Sequence, residues 1–259
     1  MITSRDNEFI KETVKLISSA KFRREKGCFV AEGVRLCRDG AESGAKITAF
    51  LTTPTAAEKY PQDFRHISSK AEKTYEISEK LFKQISDTTA PQGFMCVFKT
   101  LDKQTTSYKI SNQGHYTALE NIQDPSNLGT ILRTAEALGT DGIILSKDCC
   151  DIYMPKVVRG SMGAVFRLPV IIAENFTEYI SELTKNGIKT YASTPRDAED
   201  IKNIDFSDGG VMLIGNEGNG LKAETIDVCY KRVKIHMKGR AESLNAAAAA
   251  AILMWNMQS

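Results

Sequence analysis

The sequence predicts an α/β protein built from two domains, and three observations carry that prediction. Between residues 28 and 99, short apolar runs alternate with amphipathic helical periods, the pattern of a small α/β unit. Over residues 100–114, TLDKQTTSYKISNQG, the composition turns polar and reads as a linker. From residue 115 onward a strand, a turn, a helix and a strand follow one another, and a later apolar strand breaks into a glycine-rich turn. The expected division is therefore 1–99, a linker at 100–114, and 115–259. At 259 residues, 42% apolar and 25% charged, the chain has globular composition and enough length for two domains.

Composition also excludes classes. No run of about 18 apolar residues is present to cross a bilayer, and the first residues, MITSRDNEFIKETVKLI, carry charges where a signal peptide needs an apolar core. A cytoplasmic protein without membrane association is expected. The six cysteines, at 28, 37, 96, 149, 150 and 229, form no CxxC pair, and three histidines add little. Reduced thiols and no metal site are expected, with the role of Cys149 and Cys150 left open. A formal net charge of +2 does not mark the whole chain as a nucleic-acid binder.

In order, Ile10, Val14, Leu16 and Ile17 mark a first helix, within a basic cluster of Lys11, Lys15, Lys21, Arg23, Arg24 and Lys26. Such a cluster suits phosphates, and equally suits a solvated helix face. A strand at 28–31 leads to a helix over about 33–41; KITAFLTT is a strand, AAEKY begins a helix, ISEKLFKQIS is amphipathic, and residues 93–99 form the last strand of this half.

The second half opens with a buried strand at 116–121, turn chemistry in DPSN, and a helix closed by Gly139. Its apolar stripe is Leu128, Ile131, Leu132, Ala135 and Leu138. Arg133 lies about 100° round from Leu132, free to point out of the core or to pair with Glu136 or Glu120. Asn127 is either an N-cap or a group facing the same crevice. A basic segment, MPKVVRGSMGAVFRLPV, precedes a helix near 174–186 and a strand at 188–192. In VMLIGNEGNGL, residues 211–221, Gly215, Gly218 and Gly220 let backbone amides crowd toward a ligand. The stretch is neither GxGxxG nor a phosphate loop ending in GK[ST], which speaks against a Rossmann dehydrogenase. After a strand in KRVKI, a polar loop with Gly239, Glu242, Ser243 and Asn245 runs into six alanines and then Ile252, Leu253, Met254 and Trp255. That is a capped helix with almost no polar face, expected to be covered on every side.

Three of these stretches stand in order: NIQDPSNLGTILRTAEALG (121–139), VMLIGNEGNGL (211–221) and IHMKGRAESLNAAAAAA (235–251). Together they closely resemble the signature motifs of the SpoU branch, also called TrmH, of the SPOUT methyltransferases, which methylate ribose 2'-hydroxyls of RNA. The N-terminal part is similar to the substrate-binding domain, like ribosomal protein L30e, of the ribosomal-RNA members. The resemblance implies an L30e-like α/β domain followed by a SPOUT α/β domain with a trefoil knot, an exception to unknotted topology. It also implies S-adenosyl-L-methionine as cofactor, RNA as partner and a homodimer. The expected substrate is 23S ribosomal RNA; transfer RNA, or RNA binding without catalysis, are the alternatives.

Carried over by motif, the resemblance implies a catalytic centre of Asn127, Arg133, Glu217, Ser243 and Asn245. Backbone around Leu213, Gly215, Ile235, Met237, Ser243 and Leu244 would hold the cofactor. His236 departs from the pattern, which commonly has proline there. A guanidinium does not release its proton readily, so Arg133 is expected to clamp an RNA phosphate and stabilise developing alkoxide charge. Arg23, Arg24 and Arg159 are candidates for RNA backbone contacts, or else solvated surface cations.

Overall fold

The computed structural model describes residues 1–101 and 109–258, so residues 102–108 of the expected linker lie outside the described residues. Along the chain the elements run α1 (Glu8–Ser18), α2 (Ala20–Lys26), β1 (Cys28–Glu32), α3 (Val34–Glu42), β2 (Ile47–Thr52), α4 (Pro54–Lys59), α5 (Pro61–Lys70), β3 (Thr74–Glu76), α6 (Glu79–Ile85), β4 (Phe94–Lys99), β5 (His115–Leu119), α7 (Pro125–Ala137), β6 (Gly142–Ser146), α8 (Pro155–Gly160), α9 (Ala164–Arg167), β7 (Val170–Ala173), α10 (Phe176–Lys185), β8 (Thr190–Ser193), β9 (Glu199–Asp200), β10 (Gly210–Ile214), α11 (Ala223–Asp227), β11 (Lys231–Lys234) and α12 (Ala246–Met257). They form two compact units: Met1–Leu101 with Asp151–Arg167, and Asp102–Cys150 with Leu168–Ser259.

In the first unit a four-stranded sheet has the order β1-β4-β2-β3, with β1 and β2 antiparallel to β4 and β3 parallel to β2. One core cluster joins Ile10 and Leu16 of α1 to Val30, Leu51 and Val97 of the sheet and Leu81 and Phe82 of α6. The basic N-terminal segment is two helices, because Ser19 leaves helical geometry and its side chain caps α2 by accepting from the Phe22 amide. Residues 151–167, expected in the C-terminal domain, pack within this first unit. Phe29 stacks on Tyr153 with ring centroids 4.5 Å apart, and Phe98 meets Phe166 at 4.9 Å.

The second unit is a seven-stranded sheet in the order β7-β6-β5-β10-β8-β11-β9, every pair parallel. The central strands β5, β6 and β10 are buried almost throughout, which is why they read as apolar runs rather than alternating ones. Strand order reverses between β5, which is followed outward by β6 and β7, and β10 on its other side. In a parallel sheet a crevice opens at such a reversal, beyond the carboxyl ends of the strands. The loops that leave β5 and β10 there are 120–124 and 215–222.

DPSN is less a turn than a helix start: Asp124 is the N-cap of α7 and Pro125 its first residue. At the other end Gly139 adopts φ +78°, as a left-handed residue after the helix should. The alanine-rich helix α12 packs on α7 and β10 through Ala246, Ala247, Ala250, Leu253 and Met254. It is not covered on every side. Ile252 and Trp255 are exposed at 37% and 63%, because with Ala248 they lie on the side of the helix opposite the buried Ala246, Ala250, Leu253, Met254 and Met257.

Candidate active site

The loop after β5 is held by side chains along its whole length. Four successive backbone amides donate to them: Asn121 to Ser146 Oγ at 2.9 Å, Ile122 to Cys149 Sγ at 3.4 Å, Gln123 to Glu217 Oε2 at 3.3 Å and Asp124 to Glu217 Oε1 at 3.2 Å. Asp124 then accepts from the Ser126 and Asn127 amides, closing the first turn of α7. Asn121 sits at φ +56°, a conformation asparagine tolerates better than most residues. Burial keeps the Cys149 thiol protonated by raising its pKa against weaker lowering hydrogen bonds, and it bonds to the Leu119 carbonyl. Its place is structural.

Glu217 is presented by the turn 216–220, which closes through reciprocal backbone bonds between Asn216 and Gly220. Gly215 enters this turn where a Cβ would lie 2.1 Å from the Gly220 carbonyl carbon, so no side chain fits there. Asn216 ties the turn to the first loop by donating to the Asn121 carbonyl at 2.8 Å.

Three side chains expected at a catalytic centre meet here. Asn127 Nδ2 donates to Glu217 Oε1 at 3.0 Å, and Asn245 Nδ2 donates to Asn127 Oδ1 at 3.0 Å. Asn245 is also the N-cap of α12, its Oδ1 accepting from the Ala247 and Ala248 amides at 2.9 and 3.3 Å. The helix amides demand an oxygen, which turns Asn245 Nδ2 toward Asn127 and in turn aims Asn127 Nδ2 at the carboxylate. Polarity is thus fixed from the start of α12 to Glu217. Burial alone would raise the Glu217 pKa, but hydrogen bonds from Asn127 and from backbone amides outweigh it and hold the carboxyl below its ordinary value.

Arg133 is exposed on α7, six residues after Asn127. Its guanidinium has no ion pair among the described residues. The pairing with Glu120 open from sequence does not form: Glu120 is buried and its carboxylate bonds to Thr225 Oγ1 and the Lys222 amide. Ser243 and Leu244 are exposed in the loop before α12.

Leu213 lies in β10, Gly215 follows it, and Ile235 and Met237 follow β11. Both strands flank β8 in parallel, so these positions share the carboxyl edge of the sheet. Backbone donors and acceptors of residues 235–244 make no hydrogen bond to another described residue, which suits recognition of a nucleoside edge by backbone. His236 is exposed in this loop. Among the described residues no cluster of three or more His, Cys, Asp or Glu could hold a metal ion.

The three arginines expected to meet RNA lie in the first unit and differ. Arg23 is 2% exposed; its Nε donates to Asp151 at 2.7 Å and its Nη1 to the Leu16 and Ile17 carbonyls. A guanidinium buried and saturated in this way is a core strut, which corrects its assignment to RNA. Arg24 is exposed. Arg159 is half-buried, bonded to Asp87 at 2.8 Å, with Nη1 lacking a hydrogen-bond partner among the described residues.

Sequence reasoning did not single out Gln123, Ser146 or Asn216, and only a polar residue ending a buried strand could have pointed to Glu120. Each acts through loop contacts that no periodicity encodes.

Residues 114–255 match the SpoU rRNA Methylase family, and residues 7–96 match the MRM3-like substrate binding domain. An AdoMet-bound rRNA methyltransferase from Sinorhizobium meliloti is 30% identical and superposes with a TM-score of 0.88, covering 99% of this chain and 96% of that one. The 23S rRNA (guanosine(2553)-2'-O)-methyltransferase RlmP of Bacillus subtilis is 29% identical over 260 residues, 99% of this chain and 98% of that protein. The mitochondrial rRNA methyltransferase 3 of Xenopus tropicalis is 36% identical over 184 residues, 68% of this chain and 43% of that protein. With its own motif loops assembled at one edge of a parallel sheet and more than half its length matched, this chain belongs to the SpoU rRNA methylase family.

Proposed function

We infer that this chain is an S-adenosyl-L-methionine-dependent RNA methyltransferase acting on a ribose 2'-hydroxyl of large-subunit ribosomal RNA. The observation that carries the reading is the Asn245–Asn127–Glu217 chain of hydrogen bonds, which joins the three motif segments, with Arg133 exposed six residues further along the helix that carries Asn127. Similarity along nearly the full length to proteins named for ribosomal RNA favours that substrate over transfer RNA.

When bound, the cofactor supplies a methyl group activated on a sulfonium. The chain's own residues then supply position and charge. The backbone of residues 213–215, 235–237 and 243–244 holds the adenosyl portion. Arg133 clamps the phosphate next to the target ribose and stabilises alkoxide charge as the hydroxyl loses its proton to a phosphate oxygen or water. Asn127 and Asn245 orient the ribose and Arg133, Glu217 fixes the Asn127 amide, and Ser243 contacts the cofactor and the substrate loop. Arg24 and Arg159 reach the RNA backbone from the first unit.

The same reading includes a cytoplasmic homodimer and a trefoil knot in the C-terminal domain. The outward Ile252 and Trp255 support a dimer face on α12, and the packing of α12 on α7 and β10 supports the knot. None of the helices in the described residues is long and apolar enough to cross a membrane.

The test is transfer of labelled methyl from the cofactor to total rRNA and, separately, total tRNA from cells lacking the gene, with the modified ribose mapped. Label at one large-subunit ribose is expected, and Arg133→Ala should lower kcat about 100- to 1000-fold while cofactor affinity changes little. Label in tRNA alone would keep the chemistry and overturn the substrate. Turnover unchanged in Arg133→Ala would remove that residue from the site.

A further inference from the structure

Glu120 directly follows β5, is 1% exposed, and grips both ends of the turn that presents Glu217. Its amide donates to the Ile214 carbonyl at 2.9 Å, just before the turn, and its Oε2 accepts from the Lys222 amide at 2.8 Å, just after it. Oε1 accepts from Thr225 Oγ1 at 2.7 Å, and that hydroxyl lies 2.8 Å from Thr177 Oγ1. The next residue, Asn121, receives the Asn216 side chain on its carbonyl. Two consecutive residues therefore hold the turn at three points, 214, 216 and 222, while Glu217 itself reaches back to 123, 124 and 127.

We propose that Glu120 is a positioning residue for methyl transfer, clamping the 215–222 turn so that the Glu217 carboxylate stays aimed at Asn127. The proposal rests on the methyltransferase reading above and adds to it a residue that never touches substrate. Displacing a catalytic arrangement by about an ångström costs about 100-fold in rate. A carboxylate with one oxygen held by a buried hydroxyl and the other by a backbone amide is a rigid clamp, since its removal takes from the Thr225 hydroxyl an acceptor it holds in the core.

The experiment compares wild type with Glu120→Gln, Glu120→Leu, Glu217→Ala and the Glu120→Leu/Glu217→Ala double variant. It reads steady-state methyl transfer to rRNA, cofactor binding by calorimetry and thermal unfolding. Glu120→Leu should lower kcat about 100-fold, with the KM for RNA and the cofactor Kd within about threefold of wild type. Glu120→Gln should stay within about threefold, because its oxygen can take the Lys222 amide while the Thr225 and Thr177 hydroxyls reverse direction to accept its N–H. If Glu120 acts through Glu217, the double variant is no slower than Glu217→Ala alone. Losses that multiply in the double variant, or a Glu120→Gln as slow as Glu120→Leu, would overturn the proposal.

Should Glu120→Leu lose its cooperative unfolding transition, Thr225→Val replaces it, removing one donor and keeping the other. It should cost about tenfold in kcat, again without adding to Glu217→Ala; additive losses count against the clamp. A wild type that methylates no RNA would sink the enzyme reading instead. Hydrogen exchange at the Gly218 and Asn219 amides then decides the clamp alone: faster exchange in the Glu120 or Thr225 variant keeps it, and unchanged exchange rejects it.

Discussion

Arg23 and Arg24 are neighbours in sequence with opposite fates. Arg23→Met leaves Asp151 and two carbonyls without their donor in the core, and breaking a buried pair of this kind costs about 3–5 kcal/mol. Chemical denaturation should register that loss, with the salt dependence of RNA binding unchanged. Arg24→Ala should leave stability alone and reduce the slope of log affinity against log salt by about 0.7–0.9, one phosphate contact's worth. A cluster of basic letters in the sequence gave no way to separate the two, because the break at Ser19 decides which side of α2 faces inward. Glu217 makes a pH prediction at the same scale. Its folded-state pKa is lowered, so its hold on the first loop is complete above the ordinary carboxylate range and fades only as pH falls through that lowered value. The pH profile of kcat between about pH 6 and 9 should therefore be the same in wild type and Glu217→Gln apart from overall rate. An acid limb in that range that vanishes in the variant would contradict it.

Among elements, the strands of the second unit were legible because burial on both faces leaves a run such as VMLI with no polar interruption. The helix α7 was legible from its stripe and Gly139, though its start was read late: Asp124 and Pro125 are cap and first turn, and turn-forming residues in a sequence do not say which side of a helix boundary they occupy. Helices α8 and α9, of six and four residues, are too short to show a period and stood only as a basic segment. The glycine-rich turn was recognised for the freedom of its backbone, whereas Gly215 serves close packing. Gly215→Ala forces a methyl against the Gly220 backbone, so a loss of about 1–3 kcal/mol is expected from overpacking. Cofactor titration should show weakened binding alongside it; unaltered affinity would move the cofactor away from this turn.

For the whole molecule, the motifs pointed to Asn127, Glu217 and Asn245, which hydrogen-bond to one another, but not to how the polypeptide is shared between units. The exposed Trp255 and Ile252 bear on assembly: Trp255→Glu should shift the sedimentation coefficient from dimer to monomer and lower turnover, while a wild type that sediments as a monomer would remove the dimer from the reading. The partition of the chain has a different kind of consequence. The first unit's core is assembled from residues 1–101 and from 151–167, so Phe29 and Phe98 lack Tyr153 and Phe166 until that later stretch has been made. On the ribosome, the nascent N-terminal half emerges as an unfinished domain with an aromatic wall still open. Its completion waits for β5, α7 and β6 to be synthesised, so the timing of translation, and not only the final energy of the fold, sets when this domain becomes resistant to aggregation and proteolysis.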